Sequence, residues 1–216
     1  MKTLLQTLSL TLSLISASCD ESESKDSDKE NKDTQEDTQT PEVSYDLSKD
    51  DDIVEMMKIE WKADKLEKDD ICIERPSAFD ELIVVGSFAH DKGCAGNDVI
   101  YKGKLSNTDA VTSKVLNDNG WSDRKNRGRL AVSYTTDVLH VWESVLSGEA
   151  DAFESEEYVY ADPSFSMEDR EVTVTCWIKE PSGMQAVNSF YHLTIVCSND
   201  GTISSYEKTN QFTQDI

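Results

Sequence analysis

The sequence predicts an α+β domain of two layers, in which a largely antiparallel sheet packs against two or three helices and two disulfides brace the fold. Three observations lead to this fold class. The predicted elements follow the order αβββααββββ, which is typical of helices packed on an antiparallel sheet. The C-terminal segments alternate apolar and polar residues between turn sequences, as half-buried strands do. Four of the five cysteines fall between residues 72 and 197, within the predicted domain, where an even number can pair as disulfides.

The first predicted helix starts after three aspartates and is followed by a short strand and a hairpin. Asp50, Asp51 and Asp52 offer N-caps and acidic groups for the first turn of a helix. Apolar residues at helical spacing continue from Ile53 to about Lys68. Strands are predicted at 71–74, 82–89 and 98–105, the last two forming a hairpin around a glycine-rich loop.

Two helices are predicted in the middle of the chain. Asn107 or Thr108 caps the first, which runs to about Asn117 and ends at the turn 119–120. The second is predicted from about 124 to 147, with Gly148 at its C-terminal stop. Its apolar stripe consists of Leu130, Tyr134, Val138, Val141, Trp142 and Val145.

Four strands are predicted after the helices. Their ranges are 158–161, 171–179, 187–197 and 202–212, with turns at 181–183 and 198–201. Because side chains alternate along a strand, every second residue of the two central strands is expected to face the core. These core residues are Val172, Val174, Cys176 and Ile178 on one strand and Tyr191, Leu193, Ile195 and Cys197 on the next.

The four domain cysteines, Cys72, Cys94, Cys176 and Cys197, are predicted to form two disulfides. An even number of cysteines is typical of a disulfide framework when the domain is exported, as the N-terminal segment described below indicates. A turn centred near residue 182 would leave Cys176 and Cys197 on the order of 25 Å apart, beyond the ~7 Å between Cα atoms that a disulfide allows. All three connectivities nevertheless stay open. The alternative, a zinc site of four thiolates, lacks the C-x-x-C pair that such sites use.

The chain is strongly acidic, with a formal net charge of −22. Residues 43–216 alone carry 33 acidic and 17 basic residues, so the predicted domain is negative as well as the segment before it. Such a surface repels phosphate backbones, which argues against nucleic acid as a partner. It would suit a basic protein partner better.

Residues 1–18 have the pattern of a bacterial signal peptide. Lys2 precedes an apolar run at 4–15, which is too short to span a membrane and has the length of a signal-peptide core. Small residues at 16–18 precede Cys19. The segment resembles the lipobox of bacterial lipoproteins, whose cysteine carries diacylglycerol, although Ser16 stands where a branched aliphatic residue is usual. The resemblance implies lipidation of Cys19 and a lipid-anchored, extracytoplasmic place in the cell envelope; ordinary cleavage at the same bond is the alternative.

Residues 19–42 are predicted to be the lipidated cysteine and a disordered acidic tether, ahead of a single globular domain at 43–216. From Asp20 to Glu42 the chain has no aromatic, Val, Ile, Leu or Met residue. Such a segment cannot bury enough apolar surface to offset its chain entropy. No later segment approaches the ~20 apolar residues of a membrane-spanning helix.

The most interesting candidate surface is the polar face of the two central C-terminal strands. Trp177, Phe190 and His192 lie there among threonines and form a candidate ligand face, for a glycan for instance. A two-residue loop in the last hairpin would place Glu207 opposite His192, whereas a bulge at Gly201 would remove that pair. The simpler alternative is that helices cover this face and make Trp177 and Phe190 part of the core.

Other candidate residues have weaker support. His90 and Asp91 in the glycine-rich loop fit a turn better than a metal or acid–base site, and His140 is expected to be a solvated surface residue. A calcium loop ending at Glu207 would lack carboxylates at its first and third positions. No catalytic residue, cofactor site or metal ligand is therefore predicted.

The sequence predicts an exported, lipid-anchored lipoprotein with a non-catalytic binding domain for an unknown ligand, glycan or protein partner. One alternative is an extracytoplasmic hydrolase that uses carboxylates or His192. Another is an inhibitor or immunity-type protein whose acidity suits a secreted basic partner.

Overall fold

Residues 44–89, 93–146, 161–182 and 187–215 are described by the computed structural model of this protein, all within the unit Val43–Ile216. Within these ranges the chain forms three α-helices and two antiparallel sheets. The helices are α1 (Asp50–Glu60), α2 (Thr108–Asp118) and α3 (Arg124–Tyr134). The strands are β1 (Ile71–Glu74), β2 (Leu82–Ala89), β3 (Gly93–Tyr101), β4 (Lys104–Asn107), β5 (Ser144–Val145), β6 (Ser164–Glu168), β7 (Glu171–Ser182), β8 (Val187–Cys197) and β9 (Ile203–Asp215).

Sheet A consists of β1 to β4 in chain order and has helices on both of its faces. Leu82 and Val84 pack in one core with residues of α2 and α3, whereas Ile83 and Val85 pack in another core with α1. All four of these β2 side chains are buried. The uninterrupted apolar run of β2 therefore belongs to a strand that is buried from both sides.

Sheet B is built on β7, β8 and β9, which pair antiparallel in chain order. β6 pairs with the first half of β7 and β5 with its second half. The inner face of sheet B is the predicted one: Val172, Val174 and Ile195 are fully buried and share a core with α2 and α3. The outer face, on the opposite side of the same strands, carries half-exposed polar and aromatic side chains.

Trp121 and Arg127 tie the helices to the turns of sheet B. The Trp121 side chain is fully buried, and its indole N–H donates to the Asn199 carbonyl in the β8–β9 turn at 3.0 Å. The Arg127 guanidinium lies 5.4 Å from the Trp121 ring and donates to the Trp121 carbonyl at 2.8 Å and to Oδ1 of Asn199 at 2.8 Å. It also reaches the Arg170 carbonyl in the β6–β7 turn at 3.3 Å. One side chain thus joins α3 to two turns at the same end of the sheet.

The α+β class and the antiparallel pairing agree with the prediction. The predicted arrangement of one sheet and one layer of helices is wrong. Two separate sheets enclose α2 and α3, and α1 adds a further layer on the other face of sheet A. The reason is that α2 and α3 are apolar toward both sheets: Val115, Leu116 and Leu130 are fully buried in a core that strands of both sheets share.

Several predicted boundaries also need correction. Helix α1 ends at Glu60 rather than near residue 68, because Lys62 adopts a left-handed φ of 53° and the Trp61 indole donates to Asp98 of β3 at 2.9 Å. The strand predicted at 98–105 is two strands joined by a tight turn at Lys102, and β6 was not predicted. Of the strand predicted at 158–161, only Ala161 is among the described residues, and it is not in a strand.

The prediction of two disulfides is wrong, because only one pair of the four domain cysteines is bonded. Cys72 of β1 and Cys94 of β3 form a disulfide with a Cα–Cα distance of 6.2 Å. Cys176 and Cys197 are free and buried. Their strands pair in a register that sets Cys176 opposite Leu193, four positions from Cys197, or roughly 13 Å along the strand. The two thiols therefore share a face of sheet B but cannot meet.

The Cys72–Cys94 disulfide bears on the compartment in which the protein folds. Disulfides form and persist in oxidising surroundings and are rare in the cytosol. The bridge therefore indicates an extracytoplasmic environment for the domain. Among the residues described here, no helix has the length and apolar character needed to cross a membrane.

Candidate ligand cleft at His140

His140 is positioned by a π-helical segment, Thr135–Leu139, that continues α3 beyond Tyr134. The Thr135 hydroxyl donates to the Ala131 carbonyl four residues back at 2.9 Å, a bond that commonly bends helices. The His140 N–H then donates to the Thr135 carbonyl, five residues back, at 3.0 Å. The predicted helix to residue 147 is therefore wrong beyond this segment. Single π-helical turns inside α-helices are frequent at functional sites.

The His140 side chain is buried, so the expectation of a solvated surface residue is wrong. Only 4% of its surface is exposed. Its Nε2 lies 3.2 Å from the Tyr206 hydroxyl, and the two rings stack with centroids 5.9 Å apart. The sequence placed His140 on the polar side of a regular helix, but the π-helical segment changes the residues per turn just before it.

The second ring nitrogen of His140 faces Glu143 without a hydrogen bond. Nδ1 of His140 lies 3.4 Å from Oε1 of Glu143, close enough for an ion pair if the ring is protonated, but the geometry does not make a hydrogen bond. Among the described residues, Oε2 of Glu143 is also buried and unpartnered. Buried polar atoms in proteins nearly always have a partner, so two adjacent exceptions call for an explanation.

Two clefts meet at His140. The first has a volume of about 580 Å³ and is lined by residues of α2, the π-helical segment and β9. The second has a volume of about 400 Å³ and includes Arg75, Asp137 and Glu143 in its wall. The lining residues of the first, called the His140 cleft from here on, are Asp109, Leu139, His140, Thr202, Ile203 and Tyr206.

Tyr206 supplies a hydroxyl that stays protonated in this cleft. The side chain is half-exposed, and its partial burial, together with the carboxylates of Glu143, Glu180 and Asp109, raises the pKa of Tyr206 to about 12. At neutral pH the group can therefore donate or accept a hydrogen bond but is not a phenolate. Lys208 on the same face of β9 is engaged elsewhere, since it pairs with Glu180 and its Nζ lies 4.3 Å from the centre of the Tyr191 ring.

The arrangement can bind a polar ligand and can also move a proton. Glu143, His140 and Tyr206 form a carboxylate–imidazole–hydroxyl series, in which the imidazole could accept a proton from a bound group. A thiol nucleophile is not part of it, because burial raises the pKa of Cys176 and of Cys197 to about 11.

The predicted ligand face is divided between buried and accessible side chains. Trp177 and His192 are directly opposite each other on the outer face of sheet B, half-buried, with ring centroids 5.0 Å apart. Phe190 is 4% exposed and packs with Leu146. Helices α2 and α3 lie on the inner face, so they do not cover these side chains.

The predicted pair of His192 and Glu207 does not form. His192 is opposite Thr209, and Glu207 is opposite Thr194. A register shift between Val196 and Cys197 moves the partner residues along β9. Glu207 nevertheless stays on the outer face, so the pair is lost by a displacement of two positions along β9 and not by the change of face that a bulge at Gly201 was expected to cause.

Several sequence predictions fall outside the described residues. They include the lipidated Cys19, the tether and the pair His90 and Asp91. Within the described ranges, no group of three or more His, Cys, Asp or Glu side chains is arranged to hold a metal ion.

The sequence analysis missed Asp109, Glu143 and Tyr206 as members of a site. The spacing of His140 and Glu143, three residues apart, and the consecutive threonines before them were the available signals. Asp109 and Tyr206 come from distant parts of the chain, and only the fold brings them to His140.

Comparison with known proteins identifies no relative from which a function could be inferred. No protein-family model, curated protein or solved structure matches this chain. The argument for function therefore rests on the chemistry and geometry of the residues around His140.

Proposed function

We propose that this chain is an exported lipoprotein, anchored through Cys19, whose domain binds a small ligand in the His140 cleft. The observation that carries the binding role is the burial of His140 beside unpartnered polar atoms at the junction of two clefts. The anchor is supported by the lipobox-like segment before Cys19 and by the disulfide, which fits an oxidising compartment.

Two buried polar atoms without partners lie beside the cleft. Such an atom costs roughly 1–3 kcal/mol, and Nδ1 of His140 and Oε2 of Glu143 are two of them, on the side of the His140 ring that faces the second cleft. The cleft volume of about 580 Å³ lies within the range of roughly 300–1,000 Å³ that is usual for small-molecule sites. The protonated Tyr206 hydroxyl adds a fixed hydrogen-bonding group at the wall.

A second candidate function is an extracytoplasmic hydrolase that uses His140 as a general base. Glu143 favours it, because its Oε1 lies 3.4 Å from Nδ1 of His140, on the side of the ring where a carboxylate stands in catalytic triads. Glu143→Gln separates the two functions. A hydrolase should lose turnover of its substrate by orders of magnitude, whereas a binding domain should show no turnover in either form.

The outer face of sheet B remains the candidate surface for a larger partner. Trp177 and His192 form a half-buried ring pair beside Thr194, and α2 and α3 lie on the opposite face of the sheet. Aromatic groups of this kind bury apolar area and keep a polar atom for hydrogen bonding, which suits a glycan or protein contact.

The anchor is tested by the intact mass of the mature protein, taken from membranes of the native or a related host. We expect a chain that starts at Cys19 and carries lipid, with a mass that rises by two protons when the Cys72–Cys94 bridge is reduced. Cys19→Ser is the control and should yield unlipidated protein. A wild-type chain without lipid would contradict the anchor.

The ligand role is tested by native mass spectrometry of the protein isolated from the same envelopes. We expect a small-molecule adduct that is lost on denaturation and absent from a Tyr206→Ser variant. Glu207→Gln, one residue along β9 but on the outer face, is the matched control and should keep the adduct. An adduct that survives Tyr206→Ser would contradict binding in this cleft.

A further inference from the structure

We infer that the ligand of the His140 cleft is an organic cation, with a primary amine or quaternary ammonium group held between the Tyr206 ring and the Asp109 carboxylate. This inference rests on the proposed function, because it names the class of ligand for the same site. It follows from three features of the cleft: its Asp109 carboxylate, its lack of an uncommitted cation among the described residues, and its aromatic wall.

Asp109 makes the cleft electronegative. It stands at the start of α2 in the wall of the cleft, and it forms no salt bridge with any described residue. Glu143 lies behind the His140 ring in the wall of the second cleft and adds negative charge from outside the site. An anionic ligand would be repelled by Asp109, whereas a cation would be attracted.

The cations near the cleft are already committed. Lys208 pairs with Glu180 and covers the ring of Tyr191. Arg75, in the wall of the second cleft, donates to Oδ1 of Asp50 at 2.8 Å. Among the described residues, no side-chain cation therefore competes with a cationic ligand for Asp109. The strongly acidic domain would also raise the local concentration of a cationic ligand.

The aromatic wall suits the same ligand. His140 stacks on the Tyr206 ring with an interplanar angle of 19°, while 47% of the surface of Tyr206 is exposed. A ring of this kind attracts an ammonium group placed over its face, and quaternary ammonium ligands are commonly recognised by aromatic side chains. Leu139 and Ile203 line the same cleft and can contact the apolar part of an organic cation.

The inference is tested by isothermal titration of the mature chain, residues 19–216 with Cys19→Ser, with four probes. Choline and putrescine are the cationic probes, glycerol is the neutral polyol, and acetate is the anion. We expect one binding site for choline or putrescine, weakened by added salt, and no binding of glycerol or acetate. Binding of glycerol or acetate in preference to both cations, or binding of no cation, would overturn the inference.

Variants then assign the site. Tyr206→Leu keeps apolar volume but removes the aromatic face, and we expect choline affinity to fall roughly tenfold, whereas Tyr206→Phe should stay within about threefold of wild type. Asp109→Asn should weaken choline several-fold, while Glu207→Gln makes the same change of charge on the outer face and should leave affinity unchanged. Thermal unfolding midpoints check that each variant is folded.

The outcomes separate the inference from the proposed function. If glycerol binds and Tyr206→Leu abolishes that binding, the cleft is a ligand site but the cation class is wrong. If choline binds equally well to wild type, Tyr206→Leu and Asp109→Asn, the cation is held elsewhere. That result would overturn both the inference and the location given under the proposed function.

Discussion

Sheet A and sheet B differ in how many of their faces are covered. In β2 of sheet A, the adjacent residues Val84 and Val85 are both fully buried, one toward α2 and α3 and the other toward α1. In β8 of sheet B, Ile195 is fully buried but its neighbour Thr194 is partly exposed. Both candidate surfaces, the His140 cleft and the outer face with Trp177, belong to sheet B.

The cysteines of the two sheets also differ in oxidation state. Cys72 and Cys94 are oxidised and join two strands of sheet A. Cys176 and Cys197 are buried, reduced side chains of sheet B and serve as small apolar groups in its core. Sheet A therefore carries the covalent brace as well as the more complete packing, whereas sheet B relies on hydrogen bonds from the helices to its turns.

The largest expected effect comes from placing a charge on adjacent strand residues. We expect Val84→Asp and Val85→Asp each to prevent stable folding, because either side of β2 buries the carboxylate without a partner. In β8, Ile195→Asp should do the same, but Thr194→Asp should change the free energy of unfolding by less than about 1 kcal/mol. Circular dichroism tests whether each of the four variants folds, and urea unfolding measures the free energy of unfolding of those that do. A folded Val85→Asp protein would contradict the covering of sheet A by α1.

Removing the disulfide should have the next largest effect. The bridge spans 22 residues, and we expect the double variant Cys72→Ser/Cys94→Ser to lose about 3 kcal/mol of unfolding free energy, through the greater entropy of its unfolded chain. Urea unfolding measures the loss.

Thiol counting on the mature chain with Cys19→Ser, which keeps only the four domain cysteines, sharpens the same contrast. Burial raises the pKa of both sheet B thiols to about 11, so the folded protein should not react with a thiol reagent near neutral pH. The unfolded, unreduced domain should expose two thiols per chain. Four thiols, or none, would contradict the assignment of one bridge.

Arg127→Ala should cost about 2 kcal/mol of unfolding free energy. The change removes hydrogen bonds to two turns of sheet B and the contact with the buried Trp121 ring. Arg124→Ala, in the exposed first turn of the same helix, is the matched control and should lie within about 0.5 kcal/mol of wild type. Equal losses in the two variants would show that Arg127 does not link α3 to the sheet as described.

The smallest expected effect concerns the tight turns of the two sheets. In sheet A the β3–β4 turn places Gly103 at a φ of 79°, whereas in sheet B the β6–β7 turn places Arg170 at a φ of 80°. Glycine adopts this conformation without strain, so Arg170→Gly should raise the free energy of unfolding by up to about 1 kcal/mol. Gly103→Ala should lower it by a similar amount. Urea unfolding of both variants measures these changes. A lower free energy of unfolding for Arg170→Gly would contradict this account of the turn.

Strand positions and core faces could be predicted from the sequence because they depend on local alternation. The bounds of β1, β2 and β8 and the buried inner face around Val174 and Ile195 follow from it. The division into two sheets could not be predicted, since strand pairing depends on contacts between distant parts of the chain. The burial of His140 was missed for another reason: a regular helical period does not continue through the π-helical segment.

The most direct test of the His140 cleft is an NMR titration that follows the imidazole signals while choline is added to the mature chain. The protein has three histidines, so His140 in the cleft and His192 on the outer face are separate reporters once His90→Gln and His192→Gln variants have assigned the signals. We predict a saturable shift of the His140 signals with His192 unchanged. A saturable shift confined to His192 would place the ligand on the outer face of sheet B and contradict the account.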